Sequence, residues 1–267
     1  MVVMVDELLG IREIAYFFVS IRNFLAYKVA YLKWLLIPTL NLIAFIFVWT
    51  TLLSGGRRVG SYDIHAMILY YLLAYIIGFI VSGGVEEKVS GQVVGGDISM
   101  ILIRPVSYAK HLFFSSLGDR FPLMLVYCVV LVATFIHYNL DILNLVWGAV
   151  FLTIGLFTSF LWGTIVGYSS FFVENNWGVK HAMYFVSTVA SGAWLPLDIL
   201  PTQIQGVLNL LFFRFIKFVP IKVMQGSYTS AQMISLIGVG LVWIVALYLT
   251  SIFIYSVGIK RLAAHGV

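Results

Sequence analysis

Charge is what this chain has least of. Asp, Glu, Lys and Arg make up 10% of its residues against 61% hydrophobic ones. With a mean hydropathy of +1.02, this excludes an ordinary soluble domain, which is near half apolar and a quarter charged. Cysteine is almost missing: Cys128 stands alone in an apolar run, so no disulfide framework exists and cysteine usage defines no redox compartment. Catalytic motifs are missing too. No G-x-x-x-x-G-K-[ST] occurs, so the chain has no phosphate-cradling loop of its own. Neither H-E-x-x-H nor a G-x-S-x-G elbow is found. The five histidines (His65, His111, His137, His181, His265) are dispersed at the ends of apolar runs. They read as interfacial side chains, and no metal site is expected. Carboxylates sit in loops or at span ends, which leaves an intramembrane proton relay few candidates. Asp119 is the best of them and reads as an interfacial or helix-end residue.

What fills the sequence is a series of long apolar runs. A chain of 267 residues has room for about six spans of roughly 20 residues. The expected fold is therefore an all-α membrane protein of six transmembrane helices, a single membrane domain over 1–267. The net charge of +5 does not point to nucleic acid, because the basic residues flank the apolar runs. Acidic Asp6, Glu7 and Glu13 interrupt the start, which does not resemble a cleaved signal.

Residues 5–30 read as an amphipathic interfacial helix, with Leu8, Ile11, Ile14, Phe18, Ile21 and Leu25 at helical spacing. The start of a long first span is the other reading. Arg12, Arg22, Lys28 and Lys33 disfavour spanning before about residue 31, since a mid-membrane charge costs several kcal/mol. Spans then follow at 31–53, 63–82, 118–137, 143–172 and 232–257, with Asn139-Leu140-Asp141 as a tight turn. Between the second and third lies a polar loop, 83–117. The basic residues sort unequally across the membrane. Arg12, Arg22, Lys28, Lys33, Lys88, Arg104, Lys110, Arg120, Lys180, Lys260 and Arg261 fall on one side, and Arg57, Arg58, Arg214, Lys217 and Lys222 on the other. The positive-inside rule places both termini and the 83–117 loop in the cytoplasm.

The fifth apolar segment, 181–195, spans only about 22 Å as a helix, short of a hydrocarbon core of about 30 Å. Pro196 and Pro201 then break it. From Gln203 to Val219 one helix is expected, with Gln205, Asn209 and Lys217 near one face and Leu208, Leu211, Phe212 and Phe215 largely on another. The prediction is a broken fifth span followed by an outer re-entrant or interfacial helix, 196–226, which hints at a gate. Two short helices joined by a proline turn are the plainer reading. In the fourth span Gly155, Ser159, Gly163 and Gly167 recur every four residues, a smooth ridge suited to close helix packing and only weakly indicative of a dimer.

Several stretches resemble one family. Ala26-Tyr27-Lys28, Gly96-Asp97-Ile98, Leu102-Ile103-Arg104-Pro105-Val106-Ser107, and Ser191-Gly192-Ala193-Trp194-Leu195-Pro196-Leu197 with Ile199-Leu200-Pro201 carry the likeness. Val219-Pro220-Ile221-Lys222-Val223 with Gly226, and Gly258-Ile259-Lys260-Arg261, extend it to nearly the whole chain. Together they resemble a type 2 ABC exporter permease of the six-span, viologen-exporter-like subgroup. Phe213-Arg214-Phe215 departs from the subgroup's leucine-rich Leu-Pro-Phe, which affects the outer helix most.

The resemblance implies a non-enzymatic permease subunit of an ATP-driven exporter, multi-pass in the plasma membrane. It implies a separate ABC ATPase subunit that binds ATP and Mg, no cofactor in this chain, and a second permease chain, identical or related. The 83–117 loop would carry a short coupling helix. There Glu86 and Glu87 meet the ATPase or form a solvated face, and Asp97 follows the Gly95-Gly96 turn. Arg104 holds the loop or anchors to headgroups, and Pro105 ends a helix segment. Pro196, Pro201 and Pro220 would shape the outer gate. The alternative is an ion- or proton-driven secondary transporter, which calls for ionisable residues inside spans and often an inverted repeat. A membrane-embedded hydrolase calls for clustered His, Asp or Glu facing a cavity.

Overall fold

A computed structural model describes residues 11–26, 28–103, 107–173 and 176–264. Among these residues the chain is helical, apart from an isolated bridge between Val59 and Tyr62. The helices are α1 (Ile11–Ala26), α2 (Lys28–Leu52), α3 (Ile64–Val81), α4 (Val85–Val94), α5 (Ile98–Leu102) and α6 (Tyr108–His137). They continue with α7 (Ile142–Tyr168), α8 (Trp177–Ala190), α9 (Thr202–Leu210), α10 (Phe218–Met224) and α11 (Ser230–Ala264). Five helices, those containing α2, α3, α6, α7 and α11, are long and apolar enough to cross a membrane. A helix satisfies its backbone internally, which is what a hydrocarbon environment demands. Polar caps mark the ends. The Asp63 carboxylate accepts from the Ala66 amide at 2.8 Å, and that of Asp141 from the Leu143 amide at 2.9 Å. Asn139, at φ 50°, turns α6 into α7, a left-handed conformation that asparagine tolerates well.

Two expected boundaries are corrected. The polar loop expected over 83–117 ends earlier, because Tyr108–Phe114 already belong to α6. The Ser107 hydroxyl caps this helix on the Lys110 amide, and Tyr108, His111 and Leu112 are buried by its first turns. The single helix expected from Gln203 to Val219 is broken instead. Leu211 is extended (φ −88°, ψ 154°), a tight turn occupies Phe212–Phe215, and α10 begins at Phe218.

Helix α1 lies along α6. Gly118 permits this: a Cβ there would overlap the Phe17 carbonyl and stand 2.8 Å from the Ser20 Cβ. Ser20 and Phe24 are buried, while Ile14, Phe18 and Leu25 stay exposed, as suits a lipid-facing apolar side. The first part of the expected interfacial helix, together with Arg104 and Pro105, lies outside the described residues.

Helix α7 organises the molecule, packing against α3, α4, α10 and α11. The main apolar core gathers Tyr70, Leu73, Ile76 and Ile77 of α3 with Phe151 and Ile154 of α7 and the aromatics Phe212, Phe213, Phe215 and Phe218. A smaller core of Val85, Val89, Ile98, Leu112, Tyr168 and Phe171 fixes α4 and α5 to the end of the bundle.

Candidate functional site

The small residues of α7 are where other segments come closest. A Cβ on Gly167 would lie 2.8 Å from the Val89 Cβ and 3.2 Å from the Glu86 Cα, and one on Gly163 would lie 2.8 Å from Glu86 Oε2. Helix α4 therefore rests directly on the ridge. Two turns away, a Cβ on Gly155 would lie 2.9 Å from the Phe215 carbonyl oxygen. One face of one helix thus seats both α4 and the turn that precedes α10.

Glu87 and Lys88 of α4 are engaged within the chain. Lys180, at the start of α8, donates to Glu87 at 2.6 Å, and Lys88 donates to Asp119 of α6 at 2.6 Å. Ser90 donates to Asn176 at 2.7 Å. Glu86 points into a cavity. Besides Glu87, the segment from α4 to the end of α5 exposes large apolar side chains: Val94, Met100 and Ile103 are 66%, 68% and 84% accessible. Asp97 stands exposed between them and makes no capping bond.

The cavity has a volume of about 110 Å³. Ser82 and Gly83 after α3, Ser159, Trp162 and Gly163 of α7, Glu86 and Lys217 line three of its sides. The fourth is α8, whose Lys180, Tyr184, Ser187, Thr188 and Ser191 all face it. Those positions are spaced i, i+4, i+7, i+8 and i+11, one stripe of a helix. The Trp162 indole donates to Ser187 at 2.7 Å and ties α7 to this stripe. Lys217 sits at the tip of the α9–α10 hairpin, against Gly78, where a Cβ would lie 3.3 Å from Nζ. The expectation that Lys217 lies on the polar face of a surface helix is corrected here. Since the helix ends at Leu210, its wheel does not extend to 217, and the chain turns inward.

Next to the hairpin tip the chain is held by tyrosines. After α8 the chain turns through Gly192 at φ 80°, with Tyr70 donating to the Gly192 carbonyl and Tyr71 to the Trp194 carbonyl, both at 2.6 Å. The Phe218 amide donates to the Ser191 carbonyl at 3.0 Å. Non-helical carbonyls are thereby paired inside the protein. Pro196 precedes the short turn Leu197–Ile199, Pro201 starts α9, and Pro220 lies in the first turn of α10. Beside them Asp198 accepts from Tyr62 at 3.0 Å and pairs with Lys222 at 3.0 Å. Burial and then the neighbouring Asp198 charge push the Tyr62 phenol far above its ordinary range, so it remains a donor.

Among the residues expected to matter, the structure brings Glu86, Ser159 and Gly163 together at the cavity and sets Glu87 and Gly167 close by. Pro196 and Pro201 lie beyond the cavity, on the side of the tyrosine-held turn. Lys217, Lys180 and the α8 stripe were missed, although the stripe's period is present in the sequence. No group of three or more His, Cys, Asp or Glu able to hold a metal occurs among the described residues.

A family model described as ABC-2 family transporter protein matches residues 39–266. No curated protein matches the chain.

Proposed function

The chain belongs to the ABC-2 family of transporter proteins, and on that premise we propose that it is the permease subunit of an ATP-driven exporter. Members of this family are membrane transport subunits rather than enzymes, and they work with an ABC ATPase. In our reading the ATPase is a separate chain that binds ATP and Mg, and two permease chains, identical or related, enclose the pathway. Helix α8 is the short fifth span, which brings the spans to six, with 14 residues, or about 21 Å at 1.5 Å per residue. The hairpin α9–α10 is re-entrant from the outer face. Both termini, α4 and α5 are cytoplasmic, and the chain is multi-pass in the plasma membrane.

One observation carries this reading: α4 is clamped on the α7 ridge while Val94, Met100 and Ile103 project from the bundle end. A cluster of exposed apolar side chains beside a polar, rigidly held helix marks a protein docking surface. Beside this surface Glu87, paired to Lys180 yet 52% accessible, is still open to a partner, while Glu86 faces the cavity. In our reading the apolar side chains supply most of the docking contact. Purification from native membranes tests this. The wild-type chain is expected to retain an ATPase, and the variant Met100→Glu/Ile103→Glu to lose it while remaining inserted and monodisperse. Undiminished ATPase retention by that variant sinks the docking assignment.

A further inference from the structure

Within the cavity described above, Lys180 already has its counter-charge in Glu87 at 2.6 Å. Two charges remain, the ammonium of Lys217 and the carboxylate of Glu86, and both line the cavity. Neither meets a hydrogen-bonding or ionic partner among the described residues. Lys217 lies among the spans, where an ionisable group marks a substrate pathway, and Glu86 meets it from the cytoplasmic end of the same cavity.

The two charges are separated along α7. The hairpin tip lies against Gly155 and Glu86 against Gly163, eight residues or about 12 Å of helix, with Ser159 between them. The Lys217 stem reaches back towards Gly78 and shortens that gap. Serine and threonine hydroxyls fill the intervening wall, beside Trp162 and Tyr184.

We propose that this cavity binds a small zwitterion, its anionic group on Lys217 and its ammonium group towards Glu86, and that this is the recognition site of the transport pathway. The proposal rests on the permease reading given above. A ligand of one sign satisfies one of the two charges and is repelled by the other; a ligand with both signs pairs both. The volume of about 110 Å³ is about three-quarters of the roughly 150 Å³ that accommodates the six carbons of benzene, so about four or five heavy atoms of a ligand are enclosed and the rest reaches the cavity mouth. The aromatic side chains of Trp162 and Tyr184 in the wall suit a quaternary or primary ammonium group by cation–π attraction. Free solutes of the betaine or phosphoethanolamine kind and the headgroup of phosphatidylethanolamine share this chemistry.

The test is calorimetric titration of the ATPase-bound complex in nanodiscs of phosphatidylglycerol alone. Glycine betaine and phosphoethanolamine are the zwitterionic probes, choline and acetate their one-sign halves, and lyso-phosphatidylethanolamine the headgroup probe. Expected are binding of a zwitterion at least tenfold tighter than of either half, and weakening on the order of tenfold in Lys217→Met and in Glu86→Gln. Lys217→Arg retains binding, and Ser159→Met, which keeps both charges but narrows the cavity, abolishes it. Tighter binding of the lysolipid than of phosphoethanolamine assigns the site to a lipid headgroup, the reverse to a solute; either supports the proposal. Equal binding of zwitterions and halves, no zwitterion binding, or binding unchanged in the two neutralised variants overturns it. Should a neutralised variant fail to fold, the wild-type comparison still decides. Failure of the ATPase to co-purify counts against the permease reading alone, because the same titration on the isolated chain still judges the cavity.

Discussion

Neutralising Glu87 is expected to destabilise the protein more than neutralising Lys180, although the two form one ion pair. Their surroundings differ: the Lys180 side chain is 9% accessible and that of Glu87 52%, at a separation of 2.6 Å. In Glu87→Gln the ammonium stays enclosed and loses its counter-charge. Breaking a fully buried pair costs about 3–5 kcal/mol. With Glu87 half in solvent and the cavity beside Lys180, about 1–2 kcal/mol is the reasonable share. In Lys180→Met the carboxylate rehydrates where it stands and the thioether fills the space, so the loss falls to about 0.5 kcal/mol, as for an exposed pair. The double variant removes the stranded charge and is expected to match Lys180→Met. Thermal unfolding in one detergent reads the order: wild type, then Lys180→Met with the double variant, then Glu87→Gln lowest. Equal losses in the two single variants, or a double variant as low as their sum, refute the reasoning. ATPase coupling adds a second check. If Glu87 serves Lys180, coupling lost in Glu87→Gln returns in the double variant; if Glu87 contacts the ATPase, it does not return.

Three further outcomes are expected. Gly167→Ile forces a branched side chain into Val89, 2.8 Å from the new Cβ. At an overpacking cost of about 1–3 kcal/mol, α4 is displaced, so ATP-driven transport falls while membrane insertion persists. Asp198→Asn leaves Lys222 and Tyr62 without their shared acceptor charge, and cysteine labelling in α9 is expected to accelerate by about tenfold, the equivalent of 1.4 kcal/mol. Gly192→Ala combines φ 80° with a Cβ 2.9 Å from the Tyr70 hydroxyl, a strain of about 1–3 kcal/mol read as a lower unfolding midpoint; an unchanged midpoint contradicts the tyrosine-held turn.

Local signals were the legible ones. The apolar runs fell where α3, α6, α7 and α11 lie, because a run of that length has few other solutions in a bilayer. The turn at Asn139 and the shortness of the fifth segment were readable from residue type and length alone. The break at Leu211 was not: neither glycine nor proline marks it, and the helical wheel over 203–219 presumes an uninterrupted helix. The start of α6 was hidden for a related reason, since polar Lys110 and His111 disguise its first turns as loop. Pairings were beyond reach for another reason. Glu87 and Lys180 lie 93 positions apart, and a four-residue glycine spacing states that something packs closely without naming α4 or the Phe215 turn as the occupant. The α8 stripe, by contrast, was written in plain helical period and obscured only by the apolar residues between its members.

The seating of α4 and the Phe215 turn on one face of α7 makes the helix a fixed-length lever. Its two bearing points are phased by the helical repeat, so adding a single residue between Gly155 and Gly163 swings one of them by about 100° around the axis. Neither a shorter nor a longer arm would keep both loads on the same side. A displacement of α4 at Gly167 and one of the Phe215–Ile216 carbonyls at Gly155 therefore bear on the same face of one helix. The residues between those points are free to vary in bulk only where they face away from the load.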